Sequence, residues 1–228
     1  DAAHELRSPL TAIKTHLQVA RMTEGDKRDR ALAHAEEGAD RMHRTLEQLL
    51  LLARVEGSLS FDDGVQCDAE KVARLAIHDA NHGDDERIEL ILPSQLSTAP
   101  VEMPAALAVA ALRNLLDNAL RHTHVGARVE LSLETFDGHA HFRVRDYGPG
   151  IPEPDLDKLT QRFWRNGKSP GAGLGLAIVK QIMLWHEGSV QVHTSSLGGA
   201  KFELRWPCQT PPPSKGERIV TKSDTISP

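Results

Sequence analysis

The sequence predicts an α+β protein in which a helical hairpin precedes a mixed α/β domain. Up to residue 53, apolar residues recur at alternating steps of three and four, which is the period of amphipathic helices. From about residue 68 to residue 207, short β-branched runs alternate with further helical patterns, as in an α/β domain. Between the two parts the stretch VEGSLSFDDGVQ has no periodicity, and we place a linker there at residues 56–66.

The hairpin is predicted from two narrow apolar stripes. The first runs through residues 2–23, and the second follows the charged turn TEGDKRD. The stripe residues are Ala3, Leu6, Leu10, Ile13, Leu17 and Ala20, and then Leu32, Ala35, Ala39, Met42, Leu46, Leu49 and Ala53. Two helices with such narrow seams cannot close a core alone. We therefore expect a homodimer, in which a second copy completes a four-helix bundle.

The α/β domain is predicted to contain three helices and five strands. Its helices are expected at 68–80, 104–122 and 173–186, and its strands at 88–92, 128–135, 140–145, 189–194 and 201–206. The resulting domain boundaries are 1–58 for the hairpin and 66–207 for the α/β domain. Residues 208–228 form a proline-rich tail with little apolar content, which we expect to be disordered.

Composition excludes several classes of protein. The net charge of −5 gives no basic face for nucleic acid, so no nucleic-acid partner is expected. Cys67 and Cys208 have no metal-ligand spacing and form no disulfide framework. No apolar run approaches the roughly 20 residues of a membrane span. The chain begins at Asp1, already inside a helical pattern, which indicates a piece of a longer protein.

A glycine loop enters the last predicted helix in the stretch SPGAGLGLAIVK, residues 169–180. Gly171, Gly173 and Gly175 let the backbone approach a ligand closely, and a helix N-terminus favours phosphate. The loop is not a dinucleotide fingerprint, because Leu176 stands where the third glycine would be. It is not a P-loop either, because Arg162 stands five residues before Gly167 where a glycine is required.

Two further motifs belong with this loop. In the helix over 104–122, Asn114, Asn118 and either Arg121 or His122 fall on one face, which resembles a metal-and-phosphate face. The turn RDYGPGIP follows a predicted strand. An ionised Asp146 only accepts hydrogen bonds, so it suits the exocyclic amine of adenine, while Gly148 and Gly150 let the backbone pass under the base. Either motif alone is as well explained by a solvated helix face or an ordinary turn.

The ordered set of motifs resembles two-component sensor histidine kinases. Asn114-x-x-x-Asn118, the Asp146–Gly150 turn, Phe163 and Gly171-x-Gly173-x-Gly175 are similar to the N, G1, F and G2 boxes of that family, and HELRSPL is similar to its H box. The resemblance covers residues 1 to about 206. The wording DAAHELRSPLTAIK is closest to the quorum-sensing and polymyxin-resistance type of sensor. The implied fold of the second domain is the α/β sandwich shared with gyrase and heat-shock-90 ATPases.

The resemblance implies ATP and Mg²⁺ as cofactors and a phosphoryl transfer to His4. The metal ligand would be Asn118. The residues implied to bind the nucleotide are Asn114, Asn118, Arg121, His122, Asp146, Gly148, Gly150, Phe163, Arg165, Lys168, Gly171, Gly173, Leu174 and Gly175. Arg165 and Lys168 would lie in a mobile lid. The partner would be the receiver domain of a response regulator, and the chain would be the cytoplasmic portion of a bacterial inner-membrane sensor, attached to the membrane only through an upstream segment.

The H box also has a physical rationale of its own. His4 lies one step off the apolar stripe, so we expect an exposed ring. Glu5 can hold or remove the proton on one ring nitrogen, which leaves the other as nucleophile. Pro9 cannot donate to the carbonyl of Glu5, so we expect a bend beside the nucleophile. By the resemblance, Ser8 would orient water for dephosphorylation of the regulator.

Two other functions compete with the kinase. An ATP-driven conformational machine of the gyrase or chaperone kind would need a water-activating glutamate where Asn114 stands, and an amide is no base. A kinase-dead scaffold would lack one of the polar groups named above, and all are present. A serine-kinase relative would lack the H box.

Overall fold

The computed structural model describes residues 2–55, 66–80, 87–93, 100–124, 126–164, 173–194 and 198–208. Two helices come first, α1 (Ala2–Met22) and α2 (Asp26–Val55). The α/β domain follows as α3 (Ala69–Ala80), β1 (Ile88–Ile91), α4 (Ala105–His122), β2 (Val129–Phe136), β3 (His139–Arg145), a 3-10 helix (Glu153–Lys158), α5 (Gly175–Trp185), β4 (Ser189–Thr194) and β5 (Ala200–Pro207).

The two helices of the hairpin pack along a seam of small residues. Ala20, Ala31 and Ala35 are buried in it. Gly38 lies so close to α1 that a Cβ there would be 2.8 Å from Ile13 Cγ1. By contrast, large apolar side chains at heptad spacing remain exposed in the single chain, among them Leu10, Leu17, Leu32 and Leu46. The hairpin therefore presents an apolar face that its own two helices do not cover.

The turn of the hairpin is shorter than the sequence predicts. Residues 26–29 were expected in the turn, but α2 already begins at Asp26, and the Asp29 N–H donates to Gly25 O at 3.1 Å. Asp26 and Asp29 fall in the first turn of the helix, where the partial positive charge of the helix end favours carboxylates. At the other end, α1 continues past Pro9, which is buried within it.

The α/β domain is a five-stranded sheet covered on one face by helices. Strand order is β1-β2-β3-β5-β4, with β1 parallel to β2 and every other pair antiparallel. Alternate strand residues face the helices and form the core together with the inner sides of α3, α4 and α5. The largest fully buried side chains include Leu112, Leu115, Leu116, Phe142, Ile178, Phe202 and Trp206. The predicted helices and strands are confirmed within about two residues at each end.

The opposite face of the sheet carries a charged cluster on β3 and β5. Glu203 Oε1 lies 3.1 Å from His141 Nδ1 and accepts a 3.1 Å hydrogen bond from Arg205 Nε. Arg143 extends the cluster, since its Nε lies 3.4 Å from Glu203 Oε2. Burial alone would raise the pKa of Glu203, but the hydrogen bonds from His141 and Arg205 and the charges of Arg143 and Arg205 lower it to about 2. This carboxylate therefore stays ionised in the folded protein.

Two features were not predicted from the sequence. The 3-10 helix Glu153–Lys158 has no buried residue, so its sequence has no apolar period from which a helix could be predicted. A second feature is a pair of isolated bridges, in which Val101 pairs with Cys67 and also with Cys208. Cys67 is buried, which raises the pKa of its thiol to about 11, with the nearby Asp68 and Cys208 adding to the effect.

Residues 209–228 of the expected tail lie outside the described residues.

Candidate functional site

Helix α4 presents a polar face over its second half, from Arg113 to His122, as predicted. Asn114 and Asn118 are half-buried, one turn apart, and Arg121 follows one turn later with part of its surface exposed. The opposite side of the helix is apolar, with Leu112, Leu116 and Ala119 at most 1% exposed. Within the described part of the chain the Asn118 amide makes no hydrogen bond, so its oxygen remains available as a ligand.

Asn114 lies where three segments meet. Its Nδ2 donates to Ala110 O at 2.8 Å, within α4. Its Oδ1 accepts a 3.2 Å hydrogen bond from Gln48 Nε2 of helix α2. A Cβ added to Gly175, the first residue of α5, would lie 3.0 Å from the same oxygen. The structure thus brings the first asparagine and the last glycine of the predicted motifs together.

Asp146 is buried at the end of β3, with 4% of its surface exposed. Its Oδ1 accepts hydrogen bonds from the backbone N–H of Gly148 at 2.9 Å and of Ala200 at 3.0 Å. Both donors use the same oxygen, which leaves Oδ2 without a partner among the described residues. A buried carboxylate oriented by two N–H groups and keeping one open oxygen can accept a hydrogen bond from an amine.

The turn after Asp146 fits tightly against two other segments. A Cβ on Gly148 would overlap His122 O, at the end of α4. Gly150 faces the β4–β5 turn, where its Cβ would lie 3.3 Å from Gly199 O. Gly199 in turn has φ +83° and room for no Cβ, because the added atom would overlap Asp146 O. The residues 198–200 are therefore part of the site, although sequence reasoning missed them; the glycine pair before a strand was the available signal.

Phe163 and Gly173 close the base of the predicted lid. The Phe163 N–H donates to Gly173 O at 2.9 Å. Phe163 has φ +64°, which is unusual for a residue other than glycine, and Gly173 has φ +68°. A Cβ on Gly173 would lie 2.6 Å from Trp164 O, so only glycine fits. The F and G2 boxes are in contact here. Arg165, Lys168 and Gly171 lie between them, outside the described residues.

Helix α5 begins immediately after this contact. Leu174 is fully buried, and its carbonyl accepts the N–H of Ile178 at 2.9 Å. The first N–H groups of a helix have no partner within it, so the start of α5 at Gly175 offers donors beside the polar face of α4. This placement suits an anion.

The C-terminal end of α4 adds positive charge to the face. Partial desolvation lowers the pKa of Arg121, an effect that Asp117 opposes and that Arg44 of helix α2 reinforces. Desolvation likewise lowers the pKa of His122. The charge of Arg121 lowers this pKa further, and the charge of Asp146 raises it in part. At neutral pH the face therefore has a guanidinium beside a neutral imidazole. Among the described residues, no group of three or more His, Cys, Asp or Glu side chains is placed to hold a metal by itself.

The H-box residues lie on α1. His4, Glu5 and Ser8 are all within the helix, and Ser8 is exposed. The side chains of His4 and Glu5 lie outside the described part of the chain, so the ring orientation stays a prediction. None of the helices in the described part is both long and apolar enough to cross a bilayer.

The fold and the site together define a class of protein: a helical hairpin joined to an ATPase-type α/β sandwich. The family model described as "Histidine kinase-, DNA gyrase B-, and HSP90-like ATPase" matches residues 105–210. The model described as "His Kinase A (phospho-acceptor) domain" matches residues 1–58. The second model covers the hairpin, and the first covers α4 and all of the loops described above.

Individual relatives are similar over most of the chain. Sensor protein QseC of Salmonella typhi is 37% identical over 216 residues, which is 90% of this chain and 46% of QseC. Sensor protein kinase PmrB of Pseudomonas aeruginosa is 35% identical over 95% of this chain and 47% of PmrB. The solved structure of a mycobacterial sensor histidine kinase MprB is 30% identical with a TM-score of 0.55, over 63% of this chain and 96% of that one. The chain belongs to the sensor histidine kinase family, and it spans about half the length of the curated relatives it matches.

Proposed function

We propose that this chain is the catalytic core of an ATP-dependent protein histidine kinase, which phosphorylates His4 and passes the phosphoryl group to an aspartate of a response regulator. The observation that carries the proposal is the position of Asp146. It is buried, oriented by the N–H groups of Gly148 and Ala200, and lies where the glycine turn meets the end of α4. This arrangement supports adenine binding at Asp146 and phosphate binding along the adjoining face of α4.

ATP would bind with its base at Asp146 and its phosphates toward α4 and α5. The open Oδ2 of Asp146 would accept the adenine amine, and Gly148 and Gly150 would lie beneath the ring. Asn114, Arg121 and His122 would line the phosphates along α4, with Gly173, Leu174 and Gly175 presenting backbone at the start of α5. Phe163 would anchor the lid, to which Arg165, Lys168 and Gly171 belong. Each role rests on a charge, a donor or a close backbone approach.

The donor set at α4 fits a magnesium ion. An amide oxygen such as Asn118 Oδ1 is a hard, neutral ligand, and Mg²⁺ usually takes one or two protein oxygens and completes its shell with phosphate and water. The bound ion would neutralise charge on the phosphates. Arg121 would contribute a second, fixed positive charge on the same face.

The transfer itself needs a nucleophile on the hairpin. A ring nitrogen of His4 would form a bond to the γ-phosphorus while the bond to the bridging oxygen breaks and ADP leaves with that electron pair. Glu5 would hold or accept the proton on the other ring nitrogen. The same phosphoryl group would then pass to the carboxylate of the regulator's aspartate. Ser8, one turn after His4, would orient a water molecule that hydrolyses the aspartyl phosphate of the regulator and releases inorganic phosphate.

The partners follow from the same reading. The uncovered leucines of the hairpin would pair with a second copy in a homodimer, and the four-helix bundle so formed would receive the regulator's receiver domain. In a longer protein the chain would be the cytoplasmic part of an inner-membrane sensor.

The decisive experiment is incubation with Mg²⁺ and ATP labelled at the γ-phosphate, followed by tests of the label's stability. Phosphohistidine is labile in acid and more stable in base, so we expect the label to disappear in acid. A His4→Gln variant should take up no label while binding ATP normally. Label that survives acid treatment, or that persists in the variant, would contradict the proposed acceptor.

A further inference from the structure

Helix α2 contacts the nucleotide face of α4 in a way that the proposed function does not use. The contact centres on Gln48, which is half-buried and whose Nε2 donates to Asn114 Oδ1 at 3.2 Å. Leu49 and Leu51 pack beside it against the core of the α/β domain. Among the described residues, the hairpin thus docks on the α/β domain through apolar contacts that include Leu49 and Leu51 and through the hydrogen bond from Gln48 to Asn114.

Gln48 reaches the glycine loop through Asn114. The Asn114 side chain is fixed at its other end by the 2.8 Å hydrogen bond to Ala110 O, so it cannot turn away without losing that bond. The same Oδ1 that accepts from Gln48 lies against Gly175, where the loop enters α5. A shift of Gln48 would therefore move the Asn114 side chain and, through it, the start of α5 at Gly175, where the phosphates would bind.

Gln48 also lies at the level of His4 along the hairpin. Gly38 and Ile13 are in contact and mark one level of the two antiparallel helices. Gln48 lies ten residues beyond Gly38, and His4 nine residues before Ile13, in the same direction. At 1.5 Å per residue these distances are about 15 Å and about 14 Å, so the two backbones lie within one helical turn of each other along the axis.

The charges beside this contact argue that bound nucleotide strengthens it. Arg44, one turn before Gln48, lies near Arg121 of α4. Docking brings two guanidinium groups to the same face, where Asp117 offsets part of their repulsion in the protein alone. Phosphate oxygens on the same face would attract both groups. A contact that gains from phosphate is one that accompanies the reaction rather than one that blocks it.

We propose that Gln48 is a positioning residue for the phosphoryl transfer: its hydrogen bond to Asn114 holds the nucleotide face of α4 at the level of His4. The inference rests on the proposed function. In a two-fold symmetric bundle both copies of His4 lie at the same level along the bundle axis. The inference therefore holds whichever copy accepts the phosphoryl group. Loss of the bond would lower the fraction of molecules in which the reacting atoms are aligned.

Two substitutions separate the hydrogen bond from packing. Gln48→Met keeps the length and shape of the side chain and removes the donor, whereas Gln48→Lys keeps a donor. Each variant is assayed for ATP affinity by calorimetry and for the rate of His4 labelling at saturating Mg²⁺ and ATP. We expect Gln48→Met to label about ten-fold more slowly with ATP affinity within two-fold of the unaltered chain, and Gln48→Lys to restore most of the rate. Glu36→Ala, an exposed change on the same helix, is the matched control and should alter neither quantity.

The outcomes are distinct. Labelling of Gln48→Met at the unaltered rate would show that packing alone matters, and faster labelling would make the contact a restraint; either result overturns the inference. A parallel fall in ATP affinity would also overturn it, by placing Gln48 in the binding site itself. If the unaltered chain takes no label at all, the proposed function fails and this inference fails with it. That result is distinguishable from equal labelling rates in the unaltered chain and in every variant, which would overturn this inference and leave the proposed function standing.

Discussion

Asp146 and Ala200 hold each other by two hydrogen bonds that run in opposite directions. The backbone N–H of Asp146 donates to Ala200 O at 2.9 Å, and the backbone N–H of Ala200 donates to Asp146 Oδ1 at 3.0 Å. The first bond continues the β3–β5 pairing by one residue beyond Arg145, and the second orients the carboxylate. A binding group held at both its backbone and its side chain is oriented before any ligand arrives, which lowers the entropy cost of binding.

This pair leads to the first prediction, that Asp146 selects adenine. Asp146→Asn should weaken ATP binding by roughly 1–3 kcal/mol, because the amide replaces a charged acceptor and presents hydrogen atoms to the amine. GTP should bind more weakly than ATP to the unaltered chain, because guanine carries an oxygen where adenine carries the amine. Calorimetric titration of both nucleotides measures this. Equal affinities for ATP and GTP would contradict the assignment of Asp146.

The second prediction concerns Gly199, in the β4–β5 turn that packs against Asp146. Gly199→Ala should unfold the protein at a lower temperature and weaken ATP binding, because a Cβ there would overlap the Asp146 carbonyl. Gly138→Ala is the matched control: Gly138 has φ +70°, comparable to +83° at Gly199, but nothing lies within 4 Å of its Cβ position. Both changes carry the strain of a positive φ, which costs about 1 kcal/mol.

Thermal unfolding and ATP titration of the two variants separate strain from overlap. We expect Gly138→Ala to lose a little stability and no ATP affinity, and Gly199→Ala to lose both. If the two variants behave alike, the close approach of the β4–β5 turn to Asp146 is not what orients the carboxylate.

These examples show which parts of the site were predictable. The polar face of α4 depends on the period of one helix, and the Asp146 turn depends on neighbouring residues, so both can be read locally. The partners of these groups come from distant parts of the chain. Ala200 lies 54 residues from Asp146, and Gln48 lies 66 residues from Asn114. Only the strand order and the docking of the hairpin bring them together, and neither follows from local periodicity.

The third prediction uses the charged cluster on the outer face of the sheet. The folded protein lowers the pKa of Glu203 from 4.5 to about 2. A lowered carboxyl pKa stabilises the fold above the unfolded-state value, and this contribution is lost as the pH falls from about 4.5 toward 2. The size of the pKa shift corresponds to about 3 kcal/mol at neutral pH, as an order of magnitude.

Glu203→Gln should therefore lower the free energy of unfolding at pH 7 and have a smaller effect near pH 3. Urea unfolding at the two pH values measures the difference. Glu134→Gln is a suitable control, because that side chain is about half exposed and its ion pair with Arg143 is partly screened by water. An equal loss of stability at both pH values would mean that Glu203 acts through packing rather than through its charge.

The fourth prediction concerns the uncovered face of the hairpin. Leu10 and Leu17 lie one heptad apart on α1 and are 55% and 44% exposed in the single chain, whereas Ile13 and Ala20 of the same apolar stripe pack toward α2. Large apolar side chains at heptad spacing indicate a helical partner, and the proposed homodimer would bury them.

Leu17→Glu should place a charge in that seam and shift the chain from dimer to monomer. Met22→Glu, at the end of the same helix where the side chain is 85% exposed, should leave the dimer intact. ATP affinity should be unchanged in both variants, because the α/β domain has its own core. Sedimentation velocity and ATP titration measure the two properties separately. A Leu17→Glu chain that remains dimeric would show that the copies meet through another surface.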